Sequence, residues 1–126
     1  MNVCNFTGRL VNEVMLHTKG QTMWINNTLA IYNRKKVDER WEEDTIFIEF
    51  SAFGKNAEMI NKYTRKGDRI SLIGKITQER WVDKNNNNRT QLKLLVEKIY
   101  LIDYIKPDTN KNSIENINDE DSEIPF

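Results

Sequence analysis

The sequence predicts an all-β barrel of five strands with one short helix between the third and fourth, followed by an acidic tail. Three observations carry this expectation. Apolar and polar residues alternate with period two in several segments, the pattern of half-buried strands. Helical spacing is confined to one stretch, Asn56 through Tyr63. Beyond Pro107 the composition shifts to Asn, Asp, Glu and Ser, too poor in apolar residues to build a core.

In the first strand Cys4, Phe6, Gly8 and Leu10 share one parity, and Asn5, Thr7 and Arg9 the other. Val11, Val14 and Leu16 continue it as a long extended segment, which ends in a hairpin turn at Lys19-Gly20-Gln21. The second strand runs from Trp24 to Asn33, with Ile25, Leu29 and Ile31 on one face and Trp24, Asn26, Thr28, Ala30 and Tyr32 on the other. Arg34 to Asp44 is dense in charge and lacks period, so it is expected to be a long loop carrying Trp41. Ile46 to Phe53 forms the third strand. Ile46, Ile48, Phe50 and Ala52 face inward; Phe47, Glu49, Ser51 and Phe53 face outward.

Gly54 ends that pattern and the helix follows, closed by basic residues and a glycine in Lys66-Gly67-Asp68. Arg69 to Trp81 and Thr90 to Tyr104 are the fourth and fifth strands. Between them four consecutive asparagines suit a solvated hairpin loop. Three strands, a helix and two strands is the chain order of an OB-type barrel. The expected layout is a barrel domain over 1–106, a short linker over 107–118 and a disordered acidic tail over 119–126.

The zero net charge conceals an asymmetry. Residues 1–106 carry 18 Lys and Arg against 13 Asp and Glu, whereas 107–126 carry one Lys against six acids. A basic body suits contact with a polyanion, and equally a plain solvated surface. No apolar run reaches the roughly 18–20 residues of a membrane span. With no export signal at Met1-Asn2-Val3-Cys4-Asn5 and a single cysteine, the expected compartment is the cytoplasm.

A protein that holds single strands without sequence preference needs aromatic faces for bases and cations for phosphates. Phe47 and Phe53 occupy the wet face of the third strand, where polar residues belong. Trp81 stands where the fourth strand runs into a loop, and Trp24 and Tyr32 lie on the outer face of the second. Lys55, Lys75, Arg80, Lys84 and Arg89 neighbour these aromatics in sequence. The same aromatics would also suit packing against another subunit. Trp41, among Arg34 and Lys35, is either a stacking arm or a clamp on its own barrel.

Catalysis is not expected. Cys4 lies in register with Phe6 as a small hydrophobe and His17 sits at a strand end. One Cys and one His are too few for a zinc site, and neither a glycine-rich phosphate loop nor any cofactor motif is present. The chain ends in Asp119-Glu120-Asp121-Ser122-Glu123-Ile124-Pro125-Phe126, which reads as a peptide ligand. As such a ligand it is expected to fill a partner's pocket with the phenyl ring of Phe126, to pair its terminal carboxylate with an arginine, and to set Asp119, Glu120, Asp121 and Glu123 against a basic rim.

The order of these pieces resembles the bacterial single-stranded DNA-binding proteins. The resemblance is carried by Asn2 to Leu10, Thr28-Leu29-Ala30, Phe53-Gly54-Lys55-Asn56-Ala57-Glu58, Tyr63-Thr64-Arg65-Lys66-Gly67-Asp68, Arg80-Trp81-Val82-Asp83 and Ser122 to Phe126. It implies an OB fold, a homotetramer wrapped by single-stranded DNA, and roles in replication, recombination and repair in the cytoplasm at the nucleoid. It implies base stacking by Phe47, Phe53 and Trp81, and phosphate contacts by Lys55, Lys66 and Arg80. Lys75, Lys84, Arg34, Lys35 and Trp41 join the expected DNA site. Pro125 and Phe126 would dock onto replication and repair proteins. Asn27 departs from the family in a slot usually apolar. Glu49, Thr77 and Glu79 stand where basic residues are common, and Lys35 where a tryptophan often stands. The alternative readings are an accessory primosome-type OB protein and an RNA-binding OB module.

Overall fold

In the computed structural model the described residues run from 1 to 103, so the linker and tail expected over 107–126 lie outside them. The first strands are β1 (Cys4–Leu10), β2 (His17–Lys19), β3 (Thr22–Ile31), β4 (Arg34–Val37), β5 (Arg40–Glu43) and β6 (Ile46–Phe53). After α1 (Lys55–Tyr63) come β7 (Arg69–Val82) and β8 (Asn88–Leu101). The sheet closes on itself. Its order is β1-β7-β8-β6-β3, and β3 returns to β1 through Arg9 opposite Ala30 and Leu10 opposite Leu29. This is a five-stranded OB barrel whose neighbours are antiparallel except β6 and β8, which run parallel at Phe50–Leu94 and Ser51–Leu95. β2 lies outside the ring, paired with β3.

Closing so small a ring brings backbones together, and two glycines permit it. A Cβ at Gly8 would overlap the Ala30 carbonyl, where β1 passes from β7 to β3. A Cβ at Gly74 would overlap the Leu95 carbonyl, beside the irregularity in the β7–β8 register at Ile73/Gly74. A bulge with an adjoining glycine is a usual way to turn a barrel corner. Inside, Phe50, Ile25, Leu29, Ile70, Leu72 and Leu94 are completely buried. Each such side chain contributes about 1.5–3 kcal/mol relative to exposure. The helix covers one end of the barrel with Ala57 and Ile60.

Two expectations are corrected. The segment expected as a loop, Arg34 to Asp44, is a β-hairpin in which Arg34 pairs with Glu43, Lys35 with Glu42, Lys36 with Trp41 and Val37 with Arg40. Its turn places Asp38 and Glu39 at φ 50° and 68°. The first strand is also not continuous: β1 stops at Leu10 and β2 starts at His17. Asn27, buried on the inward parity of β3, holds the intervening chain. Its Oδ1 accepts from the Asn12 N–H at 3.1 Å, and its Nδ2 donates to the Asn12 carbonyl at 3.0 Å. The side chain thus supplies the two hydrogen bonds that a paired strand would have supplied. Val14 and Leu16, within the break, still pack against the core.

Candidate nucleic-acid interface

Alternation aims every second side chain of β3, β6, β7 and β8 away from the core, so the register decides which of them meet. On β6, Phe47 and Phe53 both point outward, 63% and 48% exposed. They are six residues apart, a span of about 20 Å along the strand. Phe53 lies directly opposite Trp24 of β3, and Phe47 opposite Ala30. Between them a row of Asn26, Ser51, Leu95 and Lys75 crosses the sheet, polar except at Leu95: Asn26 is opposite Ser51, Ser51 beside Leu95, and Leu95 opposite Lys75. The Ser51 hydroxyl donates to the Asn26 side-chain oxygen.

Trp81 is placed differently. Outward of Ile76 and Leu94 the β7–β8 hairpin continues as an arm paired with itself to Val82 and Asn88. Trp81 rides on that arm opposite Arg89, 45% exposed. On the same side Glu79 faces Gln91 and Thr77 faces Lys93. Asp83 shapes the turn. Its carboxylate accepts the backbone N–H groups of Asn85 and Asn87, both at 2.9 Å, and the Arg89 Nε at 2.8 Å. The Asn87 backbone bond and then the Arg89 bond hold its carboxyl below the usual carboxylate range. Arg89 is thereby fixed beside Trp81.

The basic residues divide. Lys55 opens α1 immediately after Phe53 and Gly54, Lys75 shares the outward face with Leu95, and Lys84 is exposed in the arm's turn. Among the described residues these three form no ion pair. Arg80 alternates to the face opposite Trp81, where its guanidinium donates to Gln78 at 3.0 Å. Lys66 lies past the far end of α1, next to Gly67, whose N–H donates to the Leu10 carbonyl at 2.8 Å. The structure therefore brings Lys55 and Lys75 toward the aromatic face and brings neither Arg80 nor Lys66 there.

The β4–β5 hairpin forms a second group. The Arg34 guanidinium lies 5.0 Å above the Trp41 ring, and Trp41 remains 61% exposed. Lys35 reaches Asp44 at 4.0 Å and Arg40 reaches Glu42 at 3.3 Å, so much of this charge is balanced within the hairpin. Tyr32 lines a separate depression of about 470 Å³ with Arg9, Glu43, Thr45 and Arg69. Arg69 forks onto Asp103 through Nε and a terminal nitrogen at 3.1 and 3.0 Å. That bonding raises the Arg69 pKa and lowers that of Asp103.

Sequence reasoning missed Lys93, which bridges to Glu79 at 3.1 Å on the face of Trp81. It also missed His17, whose ring stacks on Trp24 with centroids 5.5 Å apart. Both follow from cross-strand register, which composition does not reveal. Cys4 pairs with Gly74 on β7 whereas His17 pairs with Trp24 on β3, so no thiol–imidazole pair forms. Among the described residues no cluster of His, Cys, Asp and Glu could hold a metal, and no helix is long and apolar enough to cross a membrane. The tail residues Asp119 to Phe126 lie outside the described residues.

Comparison with known proteins gives a concordant picture. The model of the single-strand binding protein family matches residues 1–102. A single-stranded DNA-binding protein of Helicobacter hepaticus is 33% identical over 84 residues, 67% of this chain and 49% of the relative. That of Borreliella burgdorferi is 24% identical over 103 residues, 80% of this chain and 69% of the relative. The chain spans about half the length of the first curated relatives it matches. A solved structure described as the Plasmodium falciparum SSB complex with ssDNA superposes with a TM-score of 0.74 at 18% identity. It covers 82% of this chain and 96% of that one.

Proposed function

Because the chain belongs to the single-strand binding protein family, we propose that it binds and covers single-stranded DNA without sequence preference during replication, recombination and repair. The observation that carries the reading is the exposed set Phe47, Phe53 and Trp81 on the outward side of β6 and the β7–β8 arm. Exposed rings there are unfavourable unless something stacks on them, and each base–ring stack is worth about 1–3 kcal/mol. Lys55, Lys75, Lys84 and Arg89 supply phosphate contacts, and Trp41 with Arg34 adds a platform on the β4–β5 hairpin. The protein acts by binding rather than by catalysis, as a homotetramer in the cytoplasm. The test is tryptophan fluorescence during titration with oligo-dT at low and high salt. Quenching that weakens with salt is expected. Absence of quenching at low salt would reassign the aromatic face to a protein contact.

The acidic segment Asp119-Glu120-Asp121-Ser122-Glu123-Ile124-Pro125-Phe126 is proposed to recruit replication and repair proteins. An aromatic beside a proline, preceded by acids, suits an apolar pocket with a basic rim. Deleting Phe126 should leave the oligo-dT titration unchanged and abolish capture of partners in a pull-down. Capture that survives the deletion would end this proposal.

A further inference from the structure

The register joins rings on three consecutive strands. His17 of β2 is opposite Trp24 of β3, and Trp24 is opposite Phe53 of β6. Neighbouring strands lie about 4.8 Å apart, so the row crosses roughly 10 Å of the outward face, enough for one more base beyond Phe53. The His17 ring stacks on Trp24 at 5.5 Å with 24° between planes, which holds the indole in one orientation. Lys19 shares the parity of His17, two residues along β2 and opposite Thr22, and is exposed. Among the described residues it forms no ion pair. β2 stands at the free edge of the sheet, outside the ring.

We propose that the edge β2–β3 hairpin lengthens the DNA path, with Trp24 as a base-stacking residue, His17 as its positioning residue and Lys19 as the phosphate contact. This rests on the reading of Phe53 as a base-stacking residue. The surroundings favour nucleic acid over a second protein. On β3 and β6 the outward neighbours of the row are Thr22, Asn26 and Ser51, all polar, with a lysine at the rim on β2 and Leu95 of β8 beyond Ser51. A subunit interface core is depleted of charge and enriched in apolar area, whereas a strand-binding groove combines rings with cations.

The full chain with Trp24→Leu, Trp24→Phe or Phe53→Ala, titrated with oligo-dT, tests this. Trp24→Leu should weaken binding by about 5- to 100-fold, the loss of one stacked base, and Trp24→Phe should retain most of it. The mass by sedimentation should not change. Photocrosslinking of the unaltered protein to a halogenated oligo-dU should place adducts at Trp24 as well as Phe53. If Phe53→Ala weakens binding and Trp24→Leu does not, the path ends at Phe53 and this proposal fails alone. If neither weakens it, the proposal fails together with the reading beneath it. A Trp24→Leu chain that loses assembly mass would assign the row to a subunit contact and overturn the proposal. Should Trp24→Leu fail to fold by circular dichroism, the crosslink map decides, and adducts at Phe53 without any at Trp24 overturn it.

Discussion

Asn27 is a polar residue at an inward position, 5% exposed, in a strand that also turns Ile25, Leu29 and Ile31 inward. Besides its two bonds to Asn12, its Oδ1 accepts from the Thr28 N–H at 2.7 Å and its Nδ2 reaches the Glu13 carbonyl. A buried amide is tolerable only when so satisfied. The bonds also explain why the chain leaves the sheet between Leu10 and His17 without stranding backbone polar groups. Replacing Asn27 with Ala should cost about 1–3 kcal/mol, because the Asn12 N–H loses its acceptor in a half-buried site. Urea unfolding should show a lower midpoint with the same slope. An unchanged midpoint would mean that water takes over the amide's bonds.

The β7–β8 arm and the β4–β5 hairpin are built by opposite chemistry, and only the first was legible in the sequence. Its tip has asparagines around an Asp83 that accepts three hydrogen bonds, and its strands carry Ile, Leu and Val on the inward parity. The β4–β5 hairpin is charged on both faces, so alternation leaves no apolar signature. Its two-residue turn is Asp38-Glu39 at positive φ rather than the Asn-Gly or Asp-Gly pair that usually marks it. Site residues follow the same division. Phe47 and Phe53 could be found because they break the polarity of one strand. Trp24 was visible on the outer face of its strand, but its partners His17 and Phe53, and the place of Lys93, needed the pairing of strands. Asp83 carries the arm's prediction. Its folded pKa is depressed, so the order it confers is complete above the usual carboxylate range and is lost as the pH falls through the lowered value. Asp83→Ala should lower the ¹⁵N order parameters of residues 84–88 at neutral pH and weaken oligo-dT binding by loosening Arg89 beside Trp81. The unaltered arm should loosen only in acid. Order parameters that stay high in the variant would show that the turn does not depend on this carboxylate.

Across the whole chain, net charge is a poor guide to binding because the cations and the acids are segregated. The excess of five positive charges in 1–106 is offset by the excess of five acids in 107–126. Within the barrel several cations are already engaged: Lys93 by Glu79, Arg89 by Asp83, and Arg69 and Arg9 by Asp103. Six of the cations among the described residues are held in such ion pairs, so the salt dependence of binding should be shallower than the full number of lysines and arginines would give. Each phosphate neutralised contributes roughly −0.7 to the slope of log affinity against log salt on a single strand. Stacking contributes to the intercept instead, because it moves no ions. The oligo-dT titration repeated over a range of salt therefore separates the two kinds of residue. Lys75→Ala should flatten the slope by about 0.7. Trp81→Ala should lower affinity by about 1–3 kcal/mol at every salt concentration while leaving the slope alone. A Lys75→Ala line parallel to that of the unaltered chain would place Lys75 off the phosphate path. A Trp81→Ala line that converges on it at high salt would mean that Trp81 acts by positioning Arg89 rather than by stacking on a base.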